Sequence, residues 1–262
     1  MHNCLVFQLY GPLCSWGTVA VGEVRPTDSQ PTKSAVTGLV AAALGIRRDE
    51  EERQRRLVQG YGMAVRTDLP GTLVRDFHTA EVPSATSLKG SPHRTRRDEL
   101  LVLRPSDNPV ISYREYRCDA LHTVALWERP DAPHPLGEIA AALERPRFTL
   151  YLGRKSCPSA LPLRPEQFSG NTLHEVFAQY LAQLSQQYEE LKLFPTSFLK
   201  ANRQVFWQWD DDWGEPDFSR FMEVVRRDVS LSRRRWQFAE RRERQWTEAL
   251  NPQPEVDDAR KS

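Results

Sequence analysis

The spacing of apolar residues changes along the first 155 residues, and the order of these changes limits the possible folds more than any other feature of the chain. Leu5, Phe7 and Leu9 occupy alternate positions, the pattern of a strand with one buried face. From Val36 to Leu44 apolar residues instead recur at spacings of three and four, which predicts a helix. In chain order, the predicted elements are strand 4–10, helix 36–44, strand 61–66, strand 121–127, helix 135–145 and strand 148–152.

Strand, helix, strand, strand, helix, strand is the order of the ferredoxin-like fold. The RNA recognition motif (RRM), whose sheet commonly receives single-stranded RNA, has the same topology. We therefore predict an α+β protein in which residues 1–66 and 118–155 form a ferredoxin-like, RRM-like domain. This topology permits RNA binding but does not by itself require it.

A long insertion separates the second and third predicted strands. It is too long for an ordinary hairpin connection and is rich in basic and aromatic residues. We predict that residues 67–117 form an extended β-hairpin, which we call the arm, and a disordered surface insertion is the alternative. The residues that suggest an arm are Lys89, His93, Arg94, Arg96, Arg97, Tyr113, Arg114, Tyr116 and Arg117.

The composition shifts after Gly153, and we predict that residues 156–250 form a smaller C-terminal unit. Apolar residues at helical spacing from Leu173 to Leu191 predict a long amphipathic helix there. An aromatic-rich segment follows at residues 194–213, and residues 251–262 are predicted to be a disordered tail.

Several classes of protein are disfavoured by the composition. The chain has neither a basic, signal-like start nor an apolar stretch of membrane-spanning length, so we expect a soluble, cytoplasmic protein. Its four cysteines form no CxxC pair, which argues against zinc and disulfides and favours free, buried thiols. We expect no metal and no cofactor.

The charge is nearly balanced overall but uneven in kind and position. The net charge is +1, and 30 of the 36 basic residues are arginine. Arginine grips phosphate and stacks on bases, which suits nucleic acid, although a GC-rich genome also favours arginine. Eight arginines lie between 226 and 244, after an acidic run that begins at Asp210. The two blocks either pair with each other or serve docking to RNA and protein.

Three local motifs are candidates for holding phosphate. Residues 11–17 are predicted to form a turn with a glycine at each end, and residues 151–158 join a strand to Gly153, Arg154 and Lys155. Lys33 lies at the start of the first helix, where free N–H groups favour an anion. None of these motifs is a Walker loop. Trp16 is either a platform for a base or a plug in the core.

These motifs, in this order, resemble those of the CasD subunits of Cascade, the type I-E CRISPR effector, which belong to the RAMP superfamily. The likeness covers nearly all of residues 3–245. The blocks that carry it are Gly11–Gly17, Arg25-Pro26-Thr27, Pro31-Thr32-Lys33-Ser34, Gly38-Leu39, residues 43–46, 113–120, 124–127 and 151–158, Arg226 or Arg227 with Asp228, and residues 233–238.

The resemblance implies a non-catalytic subunit that holds the repeat-derived 5′ handle of the crRNA. It implies an RRM-like domain whose hairpin thumb inserts near the first guide nucleotides. The expected partners are the crRNA, the Cascade backbone subunit and the large subunit that reads the PAM, with target DNA reached through the complex. The residues we predict to contact RNA are Trp16, Arg25, Lys33, Ser34, His78, Arg94, Arg97, Tyr113, Arg114, Arg117, Arg154 and Lys155.

Two other functions stay open. Related subunits of type I-C systems cut RNA, so a metal-independent endoribonuclease is one alternative, with a His or Tyr base and a Lys that stabilises the phosphorane. Its candidates are His78, His93, Tyr113 and Lys89, but the adjacent Lys-His pair of the cutting relatives is absent. The other alternative is a protein scaffold with incidental RNA contacts.

Overall fold

The computed structural model describes residues 1–91, 94–105, 107, 109–191, 204–210, 213 and 221–249. The strands are β1 (His2–Cys14), β2 (Trp16–Gly17), β3 (Val24–Arg25), β4 (Thr27–Asp28), β5 (Tyr61–Leu69), β6 (Thr72–Ala80), β7 (Val110–Glu128), β8 (Glu166–Gly170), β9 (Gln204–Asp210), β10 (Met222–Ser232) and β11 (Gln237–Ala249). The helices are α1 (Lys33–Leu44), α2 (Glu51–Gly60), α3 (Ala85–Leu88), α4 (Arg96–Leu101), α5 (Leu136–Glu144) and α6 (Leu173–Leu191).

One large, mainly antiparallel sheet organises the described part of the chain. Seven strands follow the order β10-β11-β9-β5-β7-β1-β8, and β3 and β6 pair with β7 outside this path. The 19 residues of β7 are enough to pair with β1 and β5 in one half and with β6 in the other. The α+β class is therefore confirmed. No helix within the described ranges is both long and apolar enough to cross a membrane.

Alternation along β1 divides the interior into two cores, one on each face of the sheet. Leu5 and Phe7 face the core that contains residues of α1 and α5. Cys4 and Val6 face the opposite core, where Phe177 of α6 is fully buried. Both faces of the central strands are thus covered, and each large side chain buried in this way contributes about 1.5–3 kcal/mol.

Three helices have the positions that the apolar spacing predicted, α1, α5 and α6. The Thr32 side chain caps α1 by accepting a hydrogen bond from the backbone N of Ala35. Gly45 ends α1 in the left-handed conformation, at φ 75°. α2 was missed because its sequence is mostly charged, and it buries little more than Leu57 and Val58.

The predicted turn at residues 11–17 was wrong. β1 continues to Cys14, with Gly11 opposite Ala120 and Leu13 opposite Cys118. Trp16 and Gly17 then form a short strand with β4. Gly11 does not end the strand. It lets another backbone approach, because a Cβ there would lie 2.7 Å from the carbonyl O of Pro158.

The predicted strand at residues 148–152 was also wrong. This segment packs across the end of α1, where the backbone N of Phe148 donates to the carbonyl O of Ala42. β8 instead pairs with β1, from His2 opposite Gly170 to Val6 opposite Glu166. β8 was missed because Phe168 is its only large apolar residue, so it shows no alternating pattern.

The C-terminal strands continue the same sheet. β9 pairs with β5, with Ala64 opposite Trp209, and β11 and β10 follow outward. The domain boundaries at residues 66, 118 and 156 stay predictions. Most of the aromatic segment 194–213 and all of the predicted tail 251–262 lie outside the described residues.

Candidate nucleic-acid interface

Two of the three predicted phosphate motifs lie side by side. The backbone N of Ser15 donates to the carbonyl O of Leu152 at 3.0 Å, and the Ser15 hydroxyl donates to the carbonyl O of Glu115 at the same distance. The end of β1, the middle of β7 and the segment after residue 150 are therefore fastened together. We call this contact region, made of residues 14–17, 25, 115–116 and 151–155, the joint.

Gly153 is required by the geometry of the joint. Its φ is +87°, and a Cβ there would lie 1.8 Å from the carbonyl O of Ser15. A side chain at this position therefore meets both an unfavourable backbone conformation and a rigid backbone atom.

We expect Gly153→Ala to lower the free energy of unfolding by about 2–4 kcal/mol, measured by chemical denaturation, because the backbones must separate. Gly17→Ala is the matched control, since no atom lies within 4 Å of a Cβ at Gly17. Equal stability of the two variants would show that the joint is not closely packed in solution.

Arg154 is the central cation of the joint. Its guanidinium donates to the carbonyl O of Glu115 at 3.1 Å and to that of Arg25 at 2.9 Å, and it lies 4.6 Å from the centroid of the Tyr116 ring. Neither acceptor is a carboxylate, so these contacts leave its charge uncompensated. Arg25 and Lys155 are exposed beside it. The joint therefore presents three cations to solvent, which suits a phosphate chain.

Trp16 is a plug in the core, not an exposed platform for a base. It is 1% exposed, and its indole N–H donates to Nε2 of His122 at 3.1 Å. His122 therefore carries its proton on Nδ1, which donates to the Thr67 hydroxyl at 2.9 Å. Burial, with a smaller contribution from Arg117, lowers the pKa of His122 to about 3, so this histidine is neutral.

The third phosphate motif, at Lys33, lies away from the joint. The Asp228 carboxylate occupies the position that a phosphate would take. The backbone N of Lys33 donates to a carboxylate oxygen of Asp228 at 2.8 Å, so the start of α1 is occupied. The Lys33 side chain is buried, with its ammonium bonded to Asp210. Burial lowers the pKa of Lys33, although the charge of Asp210 opposes this. The Ser34 carbonyl accepts from Arg233. We therefore leave Lys33 and Ser34 out of the interface proposed below.

A buried ionic network surrounds Lys33, and it joins one end of the acidic run to the basic block. Arg241 bonds to Asp210 at 2.8 Å and to Asp228 at 2.7 Å, and it also contacts Glu243. Burial raises the pKa of Asp228, but the hydrogen bonds and charge of Arg241, the backbone N–H of Lys33 and the charge of Arg226 together keep that pKa below its ordinary value. Sequence reasoning suggested pairing between the blocks but did not identify these partners. Asp211, Asp212, Glu215 and Asp217 lie outside the described residues.

The arm begins as a ribbon made of β6 and the first half of β7. Phe77 lies opposite Tyr113 with ring centroids 5.4 Å apart, and both side chains are exposed. β3 lines the other side of β7, placing Arg25 of the joint beside Arg114. Phe77 was not among the predicted residues, and no alternation indicates it, because Arg75 and Thr79 on the same face of the strand are polar.

The remaining predicted residues of the arm are spread along it. The His78 imidazole lies 2.6 Å from the Asp76 carboxylate, and Arg117 donates to the carbonyl O of Pro70. Arg94, Arg97 and Lys89 are exposed in and around α3 and α4. His93 lies outside the described residues. Within the described ranges, no three His, Cys, Asp or Glu side chains are arranged to hold a metal ion.

Residues 4–244 match the family model described as "CRISPR-associated protein (Cas_Cas5)". The chain belongs to this family. The sequence is 36% identical over 171 residues to "CRISPR system Cascade subunit CasD" of Escherichia coli (strain K12), covering 62% of this chain and 70% of that protein. This family membership agrees with the resemblance carried by the sequence blocks.

Two solved structures share the fold of this Cas5-family chain. One, described as "CRISPR RNA-guided surveillance complex", has a TM-score of 0.59 at 21% identity and covers 97% of this chain and 95% of the other. Another, described as "Crystal structure of Cas protein", has a TM-score of 0.54 at 23% identity and covers 94% and 95% of the two chains. At these identities the structures support the fold, and function has to be argued from the site.

Proposed function

We propose that this protein is a non-catalytic crRNA-binding subunit of a type I-E Cascade complex that acts in the cytoplasm. In this proposal it holds the repeat-derived 5′ handle and bridges the backbone subunit and the large PAM-reading subunit for antiviral DNA targeting. The observation that carries the proposal is the joint, where the charges of Arg25, Arg154 and Lys155 are presented together next to an exposed aromatic ribbon.

The architecture supports this function in two ways. We propose that β5-β7-β1-β8 is the ferredoxin-like sheet, because β1, α1, β5, β7, α5 and β8 follow the expected order, with β8 as its fourth strand. We also propose that the arm is the thumb. The ribbon exposes apolar side chains on both faces, including Val74 and Phe77, and an isolated ribbon of this kind gains stability from a partner.

The chemistry expected of the joint is positioning of a phosphate chain. Its three cations hold phosphates, while Tyr113 and Phe77 on the adjoining ribbon offer faces on which bases stack. Arg94, Arg97, Arg114 and Arg117 extend the positive charge along the arm. This arrangement accounts for affinity and register without any bond being broken.

The decisive experiment incubates the purified full chain with labelled repeat RNA without metal and scores binding and cleavage in the same lanes. We expect binding without cleavage. Cleavage that is lost on changing His78 or His93 would establish the endoribonuclease instead. Absence of binding in a chain that still assembles with the other subunits would establish the scaffold.

A second measurement tests the joint itself. We expect Arg25→Ala combined with Lys155→Ala to reduce the slope of log affinity against log salt by about 1.4, because each lost phosphate contact removes about 0.7 for a single strand. Arg55→Ala together with Arg53→Ala is the control, since both are exposed cations on α2 that pair with nearby glutamates. An unchanged slope in the joint variant would remove Arg25 and Lys155 from the interface.

A further inference from the structure

A groove of about 1380 Å³ lies between α1 and the β10–β11 hairpin. The segment 148–151 lines it, and Gly17 and Gly153 of the joint also belong to its lining. The groove is therefore continuous with the joint. None of the cations that line it was predicted to contact RNA, although the basic block from which most of them come was noted as a possible docking surface.

Unpaired positive charge distinguishes this groove. Arg48, Arg227 and Arg233 line it, and no carboxylate of a described residue forms an ion pair with them. The two acidic residues in its lining are already neutralised. Asp28 lies 2.9 Å from Arg226, and Asp228 lies 2.7 Å from Arg241. The field in the groove is therefore positive and favours an anionic occupant.

Arg233 is the most constrained of these cations. Its guanidinium lies against Gly38, where a Cβ would be 3.0 Å from both terminal nitrogens. It donates to the Ser34 carbonyl and the Thr37 hydroxyl, while its buried Nε has no partner among the described residues. Burial lowers the pKa of Arg233, and the nearby charge of Arg48 adds to this effect. An anion in the groove would give Nε of Arg233 a hydrogen-bond partner and would compensate its buried charge.

Aromatic side chains stand beside these cations. Trp236 is 60% exposed, in a left-handed backbone conformation at φ 54°, and the Arg48 guanidinium lies 4.7 Å from its ring centroid. Phe148 is exposed on the opposite wall, and Phe238 is 6.5 Å from Trp236 by ring centroids. Exposed rings next to unpaired arginines are the combination that binds single-stranded nucleic acid, since phosphates pair with the cations and bases stack on the rings.

We propose that the groove binds a continuation of the single-stranded RNA held at the joint, with phosphates on Arg48, Arg227 and Arg233 and a base on Trp236. This inference rests on the proposed function, because the joint supplies the strand that enters the groove. The exposed rings favour RNA over an acidic protein segment, which would need the cations but not the stacking faces.

The first test maps the contact directly on the unaltered full chain. Repeat RNA carrying 4-thiouridine at single positions is crosslinked by light, and the adducts are located by mass spectrometry. We expect RNA adducts on the tryptic peptide from Trp236 to Arg241. Adducts confined to the joint and the arm would overturn the proposal for the groove.

The second test uses variants whose changes lie at exposed positions. Arg48→Ala with Arg227→Ala should reduce the salt slope by about 1.4. Trp236→Ala should weaken binding about tenfold with an unchanged slope, because it removes stacking and no charge. Arg234→Ala with Arg235→Ala is the matched control in the same turn and should change affinity less than twofold, since neither residue lines the groove.

The outcomes separate this inference from the proposed function. If the joint variant loses affinity and the groove variants do not, the groove proposal is wrong and the proposed function stands. If the groove variants bind RNA normally but retain less of a partner subunit in the assembled complex, the occupant is protein and the proposal fails. If the unaltered chain binds no repeat RNA, both fail together.

Discussion

Replacing Asp210 with Ala is expected to lower the free energy of unfolding by about 3–5 kcal/mol. The Asp210 carboxylate is 2% exposed and pairs with Lys33, with Arg129 at 3.0 Å and with Arg241 at 2.8 Å. Removing it leaves three cations close together in the interior with too little negative charge. Denaturation by urea at pH 7 measures the loss.

Two further variants define what the Asp210 result means. Lys33→Met should cost less than Asp210→Ala, because Asp210 keeps two cationic partners. Glu52→Ala removes an exposed partner of Arg55 and should leave the free energy of unfolding nearly unchanged, because exposed ion pairs contribute little. A loss in Asp210→Ala no larger than in Glu52→Ala would mean that the network does not hold α1 to the C-terminal strands.

The stability of the protein should also depend on His122 as the pH falls. The pKa of this histidine is lowered from 6.5 to about 3 in the folded state, so the folded protein resists protonation that the unfolded chain accepts. The contribution of neutral His122 to the free energy of unfolding is therefore complete above pH 6.5, and it is lost progressively as the pH falls towards 3. Over that whole range the loss amounts to roughly 5 kcal/mol, at about 1.4 kcal/mol for each pKa unit.

His122→Gln isolates this effect from the carboxylates that titrate in the same range. A glutamine amide can accept from Trp16 and donate to Thr67, but it does not take up a proton. The advantage of the natural protein over the variant should shrink by roughly 2–3 kcal/mol between pH 7 and pH 4.5, measured by urea denaturation. Parallel stability curves would show that folding does not lower the pKa of His122.

The ionic network and the groove both lie where α1 packs against the β10–β11 hairpin. Asp228 bonds to the start of α1 and to Arg241, and Arg233 of the same hairpin bonds to the Ser34 carbonyl on α1. These bonds fix the distance between the two walls of the groove. If the groove binds RNA as proposed, a loosened network would weaken that binding even where no groove residue is changed.

Local spacing in the sequence determined the elements that bury a regular face. β1, β5 and β7 and helices α1, α5 and α6 were recognised because alternation or a helical stripe reports a buried side directly. The order of motifs along the chain also indicated the family. β8 and α2 were missed because the first is a short edge strand with one large apolar residue and the second is mostly charged.

Only the tertiary structure decided the roles of individual polar and aromatic residues. Trp16 became a core residue because His122, 106 positions away, accepts its N–H. Lys33 lies in the interior because it bonds to Asp210 and Asp228, which are 177 and 195 positions away in the sequence. A sequence shows that a side chain is charged or aromatic. Which residue that side chain contacts depends on how distant strands pair. The sequence therefore determined the fold class and the family, and the packing of α1 against the last two strands decided which cations are paired in the interior.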